Sequence, residues 1–180
     1  MGYFLLYESM LDSIIDVRDK YLKKGGTVFP NKAQIFVAAI DDERFYSYKV
    51  GHWKDVYGFD MSCLSTAVLR EAQIDFVDGG QNVTSNESLI LDLDLNKMKK
   101  EEVNFASEYS VTINKNCKLH GLVGWFDCIF EDPKLPNLAV TLSTSPFKRG
   151  THWKQTTFYM NLKEQHKGGY GIDVKKGDVL

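Results

Sequence analysis

The sequence has no apolar stretch long enough to cross a bilayer, no large excess of either charge, and three cysteines in 180 residues. Each shortage excludes a class of function. A membrane-spanning helix needs about 20 consecutive apolar residues. The apolar cluster Tyr3–Tyr7 is broken at once by Glu8 and lacks the positive flank of a signal peptide. A formal net charge of -2 argues against a nucleic-acid surface built on bulk positive charge, yet leaves room for a local acidic groove facing a basic substrate. Cys63, Cys117 and Cys128 are unevenly spaced, with no CxxC pair, and read as reduced intracellular thiols rather than a disulfide frame or a zinc site. Asn82-Val83-Thr84 and Asn86-Glu87-Ser88 match the glycosylation pattern, and a secreted β-sandwich reading rests on them alone. The expectation is a cytoplasmic or nuclear protein with no metal, no membrane and no direct nucleic-acid partner.

What is present is ordinary for a globular protein: 43% hydrophobic and 26% charged residues. The length suits one domain, or one domain with a remnant of another. Leu6, Met10, Ile14, Val17, Tyr21 and Leu22 recur at near-helical spacing and predict an amphipathic helix of roughly four or five turns. Gly25-Gly26 would supply its left-handed stop. Pro30 leads into a strand-length apolar run, Ala33–Ile40. From Asp41 to Met61 the chain reads as short helices and loops, dense in aromatics: Phe45, Tyr46, Tyr48, Trp53, Tyr57 and Phe59. From about Val68 onward it reads as β structure. Leu89, Leu91, Leu93 and Leu95 alternate with Asp92 and Asp94, as in a half-buried strand. Tyr109–Ile113, Leu122–Phe130, Leu138–Leu142 and Gln155–Met160 are further strand candidates. The fold class expected is mainly β, an antiparallel barrel or sandwich preceded by one long helix, with a short helical arm inserted.

Four blocks, in order, make a more specific pattern. They are Gly2-Tyr3-Phe4-Leu5-Leu6-Tyr7-Glu8-Ser9-Met10-Leu11, Phe29-Pro30-Asn31, His52-Trp53-Lys54-Asp55-Val56-Tyr57-Gly58-Phe59-Asp60-Met61, and Thr151-His152-Trp153-Lys154-Gln155-Thr156 running on to Met160. Together they resemble the protein arginine methyltransferases. The first is similar to the end of that family's double-E loop, the second to its crossing into the β-barrel, the third to its dimerisation arm, and the fourth to its THW loop. The resemblance implies residues 1–31 as the end of a methyl-donor domain and 32–180 as a β-barrel substrate domain, incomplete at its C-terminus, with an arm at about 43–77. It implies a homodimer in the full-length family and arginine-containing substrates such as glycine/arginine-rich proteins and histones. THW resembles the monomethylating and asymmetrically dimethylating branch.

The resemblance also implies a C-terminal fragment. No strand–glycine-rich loop–helix segment for S-adenosylmethionine is present; Gly168-Gly169-Tyr170-Gly171 comes late, and no helix pattern follows it. The first glutamate of the pair is likewise absent, and Lys163 to Gly171 looks like a local insertion. The chain alone is therefore expected to bind no cofactor and to be inactive. A non-catalytic module for substrate docking or dimer assembly is the alternative reading.

A guanidinium stays protonated at neutral pH, and a carboxylate grips it through parallel charge-assisted hydrogen bonds. Glu8 matches the family's second glutamate. Taken alone it reads as a solvated acid in a first helical turn, but within the apolar run around it a cleft is the better explanation. His152 matches the histidine that pairs with an acid of the donor domain. Trp153 would wall the arginine channel, where an indole face attracts a cation, and core packing serves it nearly as well. Tyr3 and Tyr7 would line the substrate side, and Met10 would lie near the donor's sulfur; at helical spacing all three also suit a core. His52, His120 and His166 match no catalytic position.

Overall fold

The computed structural model describes residues 1–132, 134–160 and 170–180. Its elements in chain order are α1 (Met10–Tyr21), β1 (Lys32–Ile40), α2 (Glu43–Phe45), α3 (Ser65–Arg70), β2 (Gln73–Asp75), β3 (Ser88–Asp94), β4 (Cys117–Leu119), β5 (Gly121–Phe130), β6 (Val140–Ser143), β7 (Gln155–Tyr159) and β8 (Ile172–Val174), with short 3-10 and π turns between them. The fold is mainly antiparallel β with few helices, as the alternating apolar segments imply.

α1 is 12 residues long, about three turns, and it buries a different face from the one expected. Leu11, Ile15 and Arg18 are buried, whereas Met10, Val17 and Tyr21 are exposed. Helical spacing can be read twice along this segment. The buried reading contains an arginine, which hydropathy assigns to the surface. Its guanidinium is satisfied inside: Nη1 donates to the Leu95 carbonyl at 2.9 Å and Nη2 to the Met98 carbonyl at 2.8 Å. The helix stops at Leu22, whose backbone turns extended and whose N–H is bonded to the Arg18 carbonyl. Gly25, at φ 78, bends the following loop rather than capping the helix.

β1 is paired antiparallel with β3 and β5, and β5 is the central strand. The N-terminal half of β5 pairs with β7 and its C-terminal half with β6, giving a six-stranded sheet ordered β2-β7-β5-β1-β3 with β6 beside β5. β4 and β8 form a second, two-stranded sheet. Bridges Ile40–Val83, Ser85–Ile113 and Thr112–Val179 carry the wall from one sheet to the other. Along β5 the side chains alternate. Phe126 and Cys128 join Ala33, Ile35, Leu93, Leu11 and Ile15 in a cluster under α1, while Val123 and Trp125 pack with Ala38, Ile40 and Val83. Successive strand residues face opposite sides, and both sides of β5 are covered.

Several expected strands change. Val68 lies in α3, so the β region starts at Gln73. Tyr109–Ile113 forms no regular strand; Val111 instead exchanges backbone hydrogen bonds with Leu180. Leu138 ends a 3-10 turn, and β6 begins at Val140. In β3, Leu93 is buried but Leu89 is 43% exposed, because the register with β1 slips between Ile35 and Phe36, and a bulge reverses the alternation. Of the expected insertion Lys163–Gly171, only Tyr170 and Gly171 lie within the described residues. The first glycosylation pattern is folded into the wall: Thr84 is fully buried, and the Asn82 amide donates to the Asp41 carbonyl at 2.9 Å.

Candidate functional site

The first nine residues close into a tight loop. Gly2 bridges Leu5, the Leu6 N–H donates to the Phe4 carbonyl at 2.6 Å, and the Tyr7 N–H donates to the Tyr3 carbonyl at 3.1 Å. Phe4, Leu5, Glu8 and Ser9 all have positive φ, from 50° to 75°, a region costing roughly 1–2 kcal/mol per non-glycine residue. Packing offsets that cost. Leu5 is buried in the cluster under α1, and the Phe4 ring stands edge-on to Phe158 of β7 at 5.4 Å.

A second tight turn faces the loop. The Lys154 N–H donates to the Thr151 carbonyl at 3.0 Å and Lys154 has φ 53, turning the chain into β7. Trp153 packs edge-on against Phe126 at 5.8 Å, and its indole N–H donates to the Met1 carbonyl at 2.7 Å. That bond ties the two segments together. His152 lies 3.8 Å from the Trp153 ring, centroid to centroid. The Thr151 hydroxyl oxygen is buried without a hydrogen-bond partner among the described residues. Lys154 reaches Asp75 at 3.1 Å.

The positions of the expected site residues follow. Glu8 and His152 are both exposed. The Tyr3 and Tyr7 rings lie 6.3 Å apart, Tyr7 being 65% and Met10 47% exposed. Trp153 is partly buried and belongs to the packing around the cluster under α1. The structure thus joins Tyr3 with Tyr7, and Trp153 with both His152 and the loop. Among the described residues it records no contact between Glu8 and His152. An exposed carboxylate left unpaired among the described residues has the chemistry to grip a guanidinium through charge-assisted hydrogen bonds.

His120, which matches no catalytic position of the motifs, is wholly buried at the root of the arm. Its Nδ1 accepts the Asp42 N–H at 3.0 Å and lies 3.2 Å from the Asp41 carboxylate. A nitrogen that accepts carries no proton, so in the neutral ring Nε2 is the donor, facing Glu43 and the Tyr170 carbonyl, each at 3.1 Å. The Tyr159 hydroxyl donates to Asp42 at 2.6 Å. Burial, joined by the Asp42 carboxylate, pushes its ionisation well above the usual phenol range. The signal in the sequence was an acidic triplet ending a strand. Beyond this root the arm is helical and exposes Tyr48, Tyr57 and Phe59. A cavity of about 370 Å³ in the arm is lined by Tyr48, His52, Trp53 and Glu71 among others, and none of residues 1–10 or 151–154 lines it.

Residues 31–177 match the family model of the arginine methyltransferase oligomerization subdomain. The chain is 46% identical over its whole length to protein arginine N-methyltransferase 1 of Schizosaccharomyces pombe, covering 49% of that protein. It is 42% identical over its whole length to the Saccharomyces cerevisiae protein of the same name, again covering 49%. The Trypanosoma brucei PRMT1 enzyme–prozyme heterotetrameric complex with AdoHcy contains a chain of similar structure, with TM-score 0.88 and 29% identity over 99% of this chain and 53% of that one. The chain thus spans about half the length of the curated relatives it matches.

Proposed function

Because the chain belongs to the arginine methyltransferase family, we propose that it supplies the substrate-facing and subunit-joining half of a protein arginine N-methyltransferase. That enzyme would move a methyl group from S-adenosylmethionine to an arginine ω-nitrogen of a protein substrate. The observation that carries this reading is the Glu8 carboxylate, unpaired among the described residues and presented by left-handed backbone in a loop tied to Trp153. Glu8 grips the guanidinium through charge-assisted hydrogen bonds and holds one nitrogen in line for transfer. Positioning of this kind is worth about 7–11 kcal/mol in favourable cases. Tyr3 and Tyr7 line the approach, Trp153 closes it from the barrel side, and His152 pairs with an acid outside this chain.

The methyl donor fits poorly here. Met10 offers one exposed thioether, and no described residues form a glycine-rich turn opening a helix that could cradle a nucleoside. We therefore assign the donor's site to sequence that the relatives carry outside the matched half, and no step of the transfer is derived from this chain. Residues 1–31 then belong to the donor side and 32–180 to the barrel, with the arm at 43–77 joining two subunits. The exposed Tyr48, Tyr57 and Phe59 equally support a purely assembling module, which would bind arginine-rich peptide with no dependence on S-adenosylmethionine.

The test is methyl transfer from radiolabelled S-adenosylmethionine to a glycine/arginine-rich peptide by the whole protein carrying this chain. Glu8→Gln is expected to lower turnover by about 100-fold or more. Full activity in that variant refutes the reading. A calorimetric titration of the 180-residue chain with S-adenosylmethionine is expected to be silent, and saturable heat would overturn the assignment of the donor site.

A further inference from the structure

A carboxylate can orient a guanidinium only if the peptide carrying it cannot swivel. The Tyr7–Glu8 peptide is held from behind by a residue with no side chain. Gly2 is buried, and its φ lies outside the left-handed range, so its backbone conformation alone would admit any residue. Its surroundings would not. A Cβ there would stand 2.6 Å from the Tyr7 carbonyl carbon and closer still to the carbonyl oxygen. These are backbone atoms and cannot rotate aside as a side chain can. The two ends of the loop are also bonded together, by the Gly2–Leu5 bridge and the Tyr7 N–H to the Tyr3 carbonyl. Glu8 follows at once with φ 75 and ψ -1.

The far side of the loop is fixed by a second glycine. Gly124 lies on the face of β5 that bears Phe126, and a Cβ there would overlap the Phe4 ring, standing 3.1 Å from its Cζ. Phe4 therefore sits directly on the strand, wedged against Phe158.

We propose that Gly2 is a positioning residue for the Glu8 carboxylate: its missing side chain lets the Tyr7–Glu8 peptide close onto it, while Phe4 on Gly124 anchors the loop to the sheet. This rests on Glu8 being the substrate-orienting carboxylate. Gly2 touches no substrate and acts only through the peptide that precedes Glu8. A methyl group at position 2 has to push that peptide outward, and a displacement of about 1 Å near a reacting group costs about 100-fold in rate.

The experiment uses the whole protein carrying this chain. Gly2→Ala is expected to lower kcat and kcat/KM together by about 100-fold, far more than the accompanying fall in Tm accounts for, with S-adenosylmethionine affinity unchanged. A merely structural role would lower Tm or donor binding in proportion. Gly124→Ala is expected to lower kcat less, and to have no further effect once Phe4→Ala has removed the ring. Hydrogen exchange gives a readout independent of activity: the Tyr7 amide is expected to exchange about tenfold faster in Gly2→Ala. If Glu8→Gln abolishes turnover while Gly2→Ala keeps it, the positioning role is overturned. If Glu8→Gln leaves turnover intact, the functional reading fails, and the exchange measurement alone decides the clamp. Unchanged exchange at Tyr7 overturns it in either case.

Discussion

The His120 ring accepts the backbone N–H of Asp42 at 3.0 Å across 78 residues of sequence. This bond pins the residue just before the arm to the residue just before β5. The same ring lies 5.2 Å from Tyr46, which is itself fully buried, so the arm's root is held by polar and aromatic contacts at once. His120→Ala is expected to cost about 2–3 kcal/mol, because it leaves buried polar groups unpaired and opens a cavity. Trp53 emission, reporting on the arm, should shift to the red before global unfolding by urea. An unchanged arm signal in this variant would show that Asp42 and Tyr159 hold the root by themselves.

Arg18 ties α1 to the 95–98 turn through the carbonyls of Leu95 and Met98. Arg18→Ala is expected to destabilise the protein by about 2–4 kcal/mol, since charge-assisted bonds are lost and two carbonyls are stranded. Urea unfolding measures this directly. A change under about 0.5 kcal/mol would mean that water replaces the guanidinium.

The three thiols should react in a fixed order. Cys63 is exposed, Cys117 partly buried and Cys128 fully buried. Burial pushes Cys117 up and Cys128 to about 12, and thiolate is the reacting form. Alkylation followed by peptide mass analysis should label Cys63 first, Cys117 more slowly, and Cys128 only on unfolding. Early labelling of Cys128 would show that α1 and the loop lift off the sheet.

Asp127, half-buried and bonded to the Ser143 hydroxyl, has its ionisation raised by burial. A carboxyl raised in the folded state holds its proton more tightly there than in the unfolded chain. Its stabilising contribution is complete below the ordinary value of 3.8 and is lost as pH rises through the higher folded value. Asp127→Asn should remove that downward step from a plot of stability against pH. A wild-type profile identical to that of the variant would contradict the assignment.

The strands rich in consecutive apolar residues, β1 and β5, were legible in the sequence because both faces are packed. Strands of three residues, β2, β4 and β8, carry too short a period to read, and they exist because neighbouring strands offer them hydrogen bonds. The helix was visible but its buried face was not, since Arg18 takes a core position that only the carbonyls opposite make tolerable. Both segments of the candidate site stood out as motifs, and the structure sets them side by side through Trp153 and Met1. Gly2 and His120 could not be found this way. Each matters through a partner distant in the fold or brought close by an irregular turn, and neither periodicity nor composition records such contacts.

The bond from Trp153 to Met1 also sets an order of events during synthesis. Its partners are 152 residues apart, and a ribosome adding about 5–20 residues per second separates their appearance by about 8–30 s. For that interval the glutamate-bearing loop has neither its indole anchor nor the β5 and β7 surfaces beneath Phe4. A nascent chain must carry the loop slack, its apolar residues open to chaperones, until the last long strand of the sheet emerges.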